Sequence, residues 1–274
     1  MSYQPLISSS EHDAMVDWRI RQIDNKDALR RFLDKDRVLC AYALGDLEEP
    51  YWSKSEFYGA ESGGRLRGVA LFYAGFTPSI LTYFGEPEGL RAMRSLVMRR
   101  GPVHYILDAA SFRAVHGWYR HSNMEKVWRM VVPRAQFRPR GLKKVQRLRW
   151  DYAVTLRTML GSNGDAPAID PETLQQGVFY GVTDGVQLIS VAGTHVVAPG
   201  EGVGAVGYVF TAPEHRGKGY ATACTAAVTK ELLDMGLHTV VLNVAQTNPS
   251  AIHVYERLGF RKYCALVEGD GAPR

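Results

Sequence analysis

The chain has 274 residues, enough for one large domain or two of ordinary size. With 46% hydrophobic and 22% charged residues it can bury a packed core, which excludes a disordered chain, and no apolar run approaches the roughly 18 residues of a membrane span. The net charge of +5 suits an anionic ligand without identifying one.

Met1 to Arg19 is polar, carries Glu11 and Asp13, and lacks the apolar stretch of a signal peptide. Residues 1–16 are expected to form a flexible tail. Cys40, Cys224 and Cys264 are far apart and odd in number, which argues against a disulfide framework and against a zinc site. A cytoplasmic protein without a metal is expected.

Taken in chain order, Trp18–Ile23 reads as a strand, Asp27–Leu33 as a helix and Leu39–Leu47 as a second helical stretch. Phe57–Ala60 and Arg65–Ala74 form a hairpin around Ser62-Gly63-Gly64. Ser79–Phe84 is a strand, and Glu88–Met98 a helix with Leu90, Met93 and Val97 on one face. Val103–Leu107, Phe112–His121 and Glu125–Val132 then give strand, helix and strand.

The second half repeats the order. Val145–Leu148 is a strand, Tyr152–Leu160 a helix, Gly161–Asp170 a loop, and Pro171 opens a short helix. Val178–Val182 and Val186–Val197 form a hairpin around Thr183-Asp184-Gly185. Val203–Phe210, Tyr220–Met235, Thr239–Val244, Ala251–Leu258 and Phe260–Leu266 follow as strand, helix, strand, helix and strand. The halves repeat in architecture rather than in sequence. The expected division is a tail at 1–16, a first domain at 17–133, a basic linker at 134–144 and a second domain at 145–270. Arg134 to Arg149 carries seven Lys and Arg residues and no acid, and reads as a solvated linker. Nucleic-acid binding is not expected, since neither aromatic interleaving nor a known module accompanies it.

The segment from Val209 to Ala221 carries the chemistry. A strand runs into it and an amphipathic helix leaves it, with Ala221, Cys224, Val228 and Leu232 on one stripe. A helix start offers unpaired N–H groups and a partial positive charge. Gly217 and Gly219 lack the β-carbons that would hold phosphate oxygens away, and Arg216 and Lys218 add two cations. A diphosphate is the natural occupant. A P-loop fails because Gly219, not Ser or Thr, follows Lys218. A dinucleotide fold fails because Thr222 stands at the third glycine and no carboxylate ends the next strand.

The spacing Glu214-x-x-Gly217-x-Gly219 resembles the acyl-CoA-binding motif of the GCN5-related N-acetyltransferases (GNAT), with Glu214 in place of the usual Gln or Arg. Asn248-Pro249-Ser250-Ala251, then Tyr255 and Gly259-Phe260, resembles a second signature of that family at the expected distance. The fold implied is α/β: two tandem GNAT-like domains, each a mixed, mostly antiparallel twisted sheet flanked by helices. The tandem layout is similar to that of glycine N-acyltransferase-like proteins.

The resemblance implies acetyl-CoA, or another short acyl-CoA, as co-substrate. Val209, Phe210 and Thr211 would pair with its pantetheine, and Arg216, Gly217, Lys218, Gly219, Tyr220 and Ala221 would hold its pyrophosphate. Asn248 would contact the cofactor or cap its helix. Tyr255 would be catalytic, protonating the leaving thiolate. The implied function is transfer of an acyl group to a primary amine, on a small molecule or a peptide, by direct attack. The alternative is a non-catalytic acyl-CoA sensor.

An ammonium must lose a proton before it attacks. Glu201, His195 and Glu268 are candidates for the base, alongside a water relay. The first half enters its corresponding helix through Gly85-Glu86-Pro87-Glu88-Gly89, whose carboxylates would repel a diphosphate. It is expected to bind no CoA and to wall the acceptor site, with Trp52, Trp118 and Tyr119 as cleft or core aromatics.

Overall fold

A computed structural model describes residues 17–161, 169 and 171–274. The expected tail at 1–16 lies outside the described residues, as does nearly all of the loop expected at 161–170.

The first half contains β1 (Arg19–Gln22), α1 (Lys26–Leu33), α2 (Ala41–Gly45), β2 (Ser55–Ser62), β3 (Arg65–Tyr73), β4 (Ser79–Gly85), α3 (Pro87–Ala92), α4 (Arg94–Arg99), β5 (Val103–Leu107), α5 (Ala109–Val115) and β6 (Tyr119–Val132). The second contains β7 (Gln146–Arg147), α6 (Ala153–Gly161), α7 (Pro171–Gln176), β8 (Tyr180–Asp184), β9 (Gln187–Ala198), β10 (Val203–Thr211), α8 (Tyr220–Asp234), β11 (Thr239–Ala245), α9 (Pro249–Leu258) and β12 (Arg261–Pro273). Local chemistry sets the boundaries. Asn25 and Asp108 accept hydrogen bonds from the first-turn N–H groups of α1 and α5, and Gly259, at φ 98°, ends α9. The β2–β3 turn places Gly63 and Gly64 at φ 56° and 71°, the conformation a two-residue hairpin requires.

The described strands join in one sheet, ordered β1-β2-β3-β4-β5-β12-β6-β11-β10-β9-β8-β7. Only β4–β5 and β10–β11 pair in parallel. The closing strand of each half crosses to the other: β12 lies between β5 and β6, and β6 lies between β12 and β11.

Side-chain alternation divides the core between the two faces. Met130 and Val132 of β6 pack with Val240 and Leu242 under Cys224, Val228 and Leu232 of α8 and Ile252 and Leu258 of α9. Val131, pointing the other way, joins Val196, Val203, Ala205 and Val241 beneath α1 and α2, where Leu29, Leu33 and Leu44 also meet Phe57, Val69 and Leu71 of the first half. This second cluster draws on both halves. A fully buried Leu contributes about 2 kcal/mol.

Several boundaries differ from expectation. The helix expected at Glu88–Met98 breaks at Met93 into α3 and α4, and that expected at Phe112–His121 is α5 followed by a 3-10 turn at His116–Trp118. β6 begins six residues before Glu125, and β12 runs on to Pro273. Both extensions, around Ser122-Asn123 and Gly269-Asp270-Gly271, have turn-like composition. Antiparallel pairing of β6 with β12 out to Tyr119 and Pro273 overrides it.

Candidate active site

β10 and β11 pair from Val203–Thr239 to Val206–Leu242 and then part. The cause lies on the opposite edge of β10. Between Gly207–Gly193 and Phe210–Val191, two residues, Tyr208 and Val209, face only Ala192 of β9. This bulge bends β10 away from β11. Tyr208 adopts φ 51°, a conformation uncommon for a non-glycine residue. The ends of the two strands, Gly207–Thr211 and Asn243–Ala245, thus flank a gap in the sheet.

The bent strand feeds the glycine loop. A 3-10 turn at Pro213–His215 leads to Gly217 and Gly219, at φ 77° and 82°, and Gly219 is the N-terminal cap of α8. The first hydrogen bond returning along α8 is from Ala223 N–H to the Gly219 carbonyl, so Tyr220, Ala221 and Thr222 have no intrahelical acceptor. Among the described residues, a β-carbon on Gly217 or Gly219 would meet no atom within 4 Å, so they leave open the space before this helix end. Arg216 is braced by its Nε–H, which donates to the Thr211 carbonyl at 3.1 Å. The basic segment passes alongside, with Lys144 Nζ 5.9 Å from the centre of the Tyr220 ring.

Gap and loop open into a cleft of about 1510 Å³. That exceeds the roughly 300–1,000 Å³ of a site for one small ligand and leaves room for two. Val209, Phe210, Thr211, Arg216, Gly217, Gly219, Tyr220, Ala221, Asn248 and Tyr255 all line it; the Lys218 side chain does not. Asn248 caps α9, accepting from Ala251 N–H at 3.0 Å and from the Ser250 hydroxyl at 2.9 Å. Tyr255 is packed against Phe260 with ring centres 6.1 Å apart, and burial pushes its phenol pKa up. At neutral pH it is therefore a hydrogen-bond donor.

The three candidates for the base part company. Glu201 is buried and bound to Arg30 of α1, Oε1 to Nη2 at 2.5 Å, away from the cleft. His195 opens on the cleft and packs on Tyr208 with ring centres 4.4 Å apart; partial desolvation by the cleft walls pushes its pKa down, so it is neutral at pH 7. Glu268 lines the cleft and meets His104 Nε2 at 3.1 Å, while His104 Nδ1 meets Asp270 at 2.9 Å. Those two carboxylates raise the pKa of His104, against its partial burial.

Two cleft residues escape a reading of the sequence alone. Asp46, 6% exposed just after α2, has its pKa raised to about 8 by burial. Arg129 of β6, 3% exposed, donates from Nε to Asn243 Oδ1 at 2.6 Å and from Nη1 to the carbonyls of Val38 and Leu39. Each is a lone charge in an apolar stretch, Leu39–Leu47 and Val127–Val132, and that contrast was the available signal.

The first half has a comparable parting of β4 from β5 after Thr82–Ile106, but no cradle. Glu86 and Glu88 flank the start of α3, and the Tyr83 hydroxyl donates to the Glu86 carbonyl at 2.7 Å. Its residues instead face the shared cleft, among them Tyr42, Thr82, His104 and Arg129. Of the aromatics expected there, Trp118 and Tyr119 are buried in the core of the first half and Trp52 packs beside α1 and α2.

Residues 144–260 match the acetyltransferase (GNAT) family. Members of the GNAT family use acetyl-CoA as co-substrate. A spermidine N(1)-acetyltransferase of Vibrio cholerae is 43% identical over 61 residues, 22% of this chain and 35% of that protein. A mycothiol acetyltransferase of an Arthrobacter strain is 43% identical over 75 residues, 26% of this chain and 23% of that protein. The chain thus spans about a third or less of the curated relatives it matches. Over the whole fold it is similar to a tandem GNAT protein from the clavulanic acid biosynthesis pathway, with TM-score 0.60, 15% identity, and coverage of 93% of this chain and 98% of the other. The fold is a tandem GNAT architecture. No helix among the described residues is long and apolar enough to cross a membrane.

Proposed function

We propose that the protein is an N-acetyltransferase that transfers the acetyl group of acetyl-CoA, or of another short acyl-CoA, to a primary amine. The observation that carries this reading is the continuity of the bulged β10, its parting from β11 and the two left-handed glycines opening α8. The free N–H groups of the loop and helix start suit a diphosphate, and the gap between β10 and β11 suits the extended arm behind it. Residues 145–270 form the catalytic unit, and 17–133 supply much of the acceptor wall. The spermidine and mycothiol acetyltransferases among the relatives support a small-molecule acceptor.

In the step itself, an amine that has given up a proton attacks the thioester carbon. A C–N bond forms, the C–S bond breaks, the thiolate takes a proton from the Tyr255 hydroxyl, and the proton shed by the new amide nitrogen returns through cleft water to the tyrosinate. Backbone N–H groups at the bulge stabilise charge developing on the carbonyl oxygen. A neutral His195 adds no positive charge of its own at the gap against an incoming ammonium. Glu268 is the candidate base that combines a cleft position with a free carboxylate edge.

The test is release of CoA thiol from acetyl-CoA across a panel of primary amines. Acetyl-CoA binding with amine-dependent thiol release is expected. Binding without release from every amine would instead indicate an acyl-CoA sensor.

A further inference from the structure

The basic segment between the halves folds as a strap across the outer side of α8. It leaves β6 at the far end of that helix, where Arg134 Nη2 donates to the Leu233 carbonyl at 2.9 Å. Arg138 N–H then donates to the Leu258 carbonyl at the end of α9, at 3.0 Å. Gly141, at φ 72°, turns the strap so close to α8 that a β-carbon on it would stand 2.9 Å from that of Ala223. A 3-10 turn at Leu142–Lys144 brings Lys144 beside Tyr220, the first residue of α8. The returning leg ends at Arg147, whose Nε meets Glu231 at 3.2 Å. Ala223 and Ala227 are buried as a result, although they lie off the stripe that faces the sheet.

The strap's cations fall into two groups. Arg134 and Arg147 are tied to α8. Arg138, Arg140 and Lys143 form no hydrogen bond or ion pair from their side chains among the described residues. Arg257 of α9 has none either, and it lines the cleft together with His253 and Val254 of α9 and Thr222 of α8. The cleft therefore continues past the glycine loop into the groove between α8 and α9. Arg140 spans the outer side of that groove, between the strap's anchor on Leu258 and its contact with Ala223. Unpaired charges of one sign gathered at a groove repel one another until an anion enters.

The loop cations and the helix N–H groups already suit a diphosphate. Arg140 and Arg257 stand farther out, on opposite sides of the groove, and answer to a separate anion. CoA carries one, a phosphate on the 3′ oxygen of its adenosine. We infer that Arg140 of the strap and Arg257 of α9 hold this 3′-phosphate in the groove between α8 and α9, an assignment that rests on the acyl-CoA reading of the loop. A guanidinium suits the role because its fork of donors matches two phosphate oxygens. The connection between the halves is thereby a wall of the cofactor site and a determinant of donor specificity.

Calorimetric titration of the intact protein with CoA and with dephospho-CoA, which lacks only the 3′-phosphate, is the test. CoA is expected to bind about 10- to 100-fold more tightly, the range for charge-assisted hydrogen bonds, and high salt should narrow that margin. Arg140→Gln and Arg257→Gln should each reduce the margin, and the double variant should bring it close to one while its affinity for dephospho-CoA stays unchanged. Arg149→Gln, beyond the strap's return, should keep the full margin. If the strap only braces α8, Arg140→Gln would affect both ligands alike, and the unchanged margin would overturn the inference. Equal binding of CoA and dephospho-CoA by the unaltered protein would overturn it with the acyl-CoA reading intact. Uptake of neither ligand would overturn both.

Discussion

The ring of His195 crowds Gly207 so closely that a β-carbon there would stand 2.0 Å from Nε2 and 2.1 Å from Cδ2. Gly207 is the last residue of β10 before the bulge at Tyr208 and Val209, and the first past the pairing with β11. Glycine here is required by the approach of a side chain rather than by backbone angle.

Gly207→Ala should push His195 off the strand at the mouth of the gap. A loss of about 10²-fold in turnover is expected from the displaced geometry, with a stability loss of about 1–3 kcal/mol from overpacking. The double variant Gly207→Ala, His195→Ala should recover most of the stability. Thermal melts and steady-state rates on both variants check this, and a Gly207→Ala protein with full activity would refute it.

Gly217 and Gly219 have open space where a β-carbon would go, so substituting them strains the backbone without any clash. Each Ala replacement should lower stability by about 1–2 kcal/mol, the penalty for a left-handed L-residue. It should also weaken CoA binding by about tenfold or more, as N–H groups are re-aimed and phosphate is held off. Titration of CoA into each variant is the measurement. Unchanged affinity would show that the phosphates are held elsewhere.

Tyr255→Phe removes a proton donor from the cleft wall and leaves the ring packed on Phe260. Turnover should fall by about 10²-fold, the low end for general acid catalysis because a thiolate leaves readily. Affinity for CoA should hardly change. Equal rates for the two proteins across the pH range would remove Tyr255 from the mechanism.

Asp46 supplies a pH test of the fold. Its folded pKa is raised from 3.8 to about 8, so between these values the unfolded chain releases a proton that the folded chain keeps. Stability contributed by the wild-type residue therefore falls as pH rises from about 4 to 8. Asp46→Asn carries no such penalty. Its advantage over the wild type should grow across that window to about 6 kcal/mol at most. Urea unfolding at pH 5 and pH 8 measures it, and an advantage that does not grow would contradict the burial of this carboxyl.

The site was legible where its chemistry depends on local sequence. The glycines at 217 and 219 between a strand and an amphipathic stripe, and Asn248 with Tyr255 and Gly259, declared themselves by spacing. Arg129 and Asn243 did not, and Glu268 stood only as one of three candidate bases, because what unites them is the pairing of β6 with β11 and β12, contacts that join positions more than a hundred residues apart. The exchange of closing strands was hidden for the same reason. Gly269-Asp270-Gly271 reads as a turn until β5 and β6 pair with it on both sides. Likewise, the bulge that opens the gap is a register fact: nothing in Tyr208 and Val209 alone announces that two residues will face one.

Calorimetric titration of CoA into the intact protein tests the central claim most directly, namely that the loop before α8 and the gap beside β10 form one acyl-CoA site per chain. Saturable uptake of one CoA per chain is expected, since the first half offers two carboxylates where the second offers free N–H groups. No heat at CoA concentrations far above cellular levels, or two equivalents bound per chain, would contradict it.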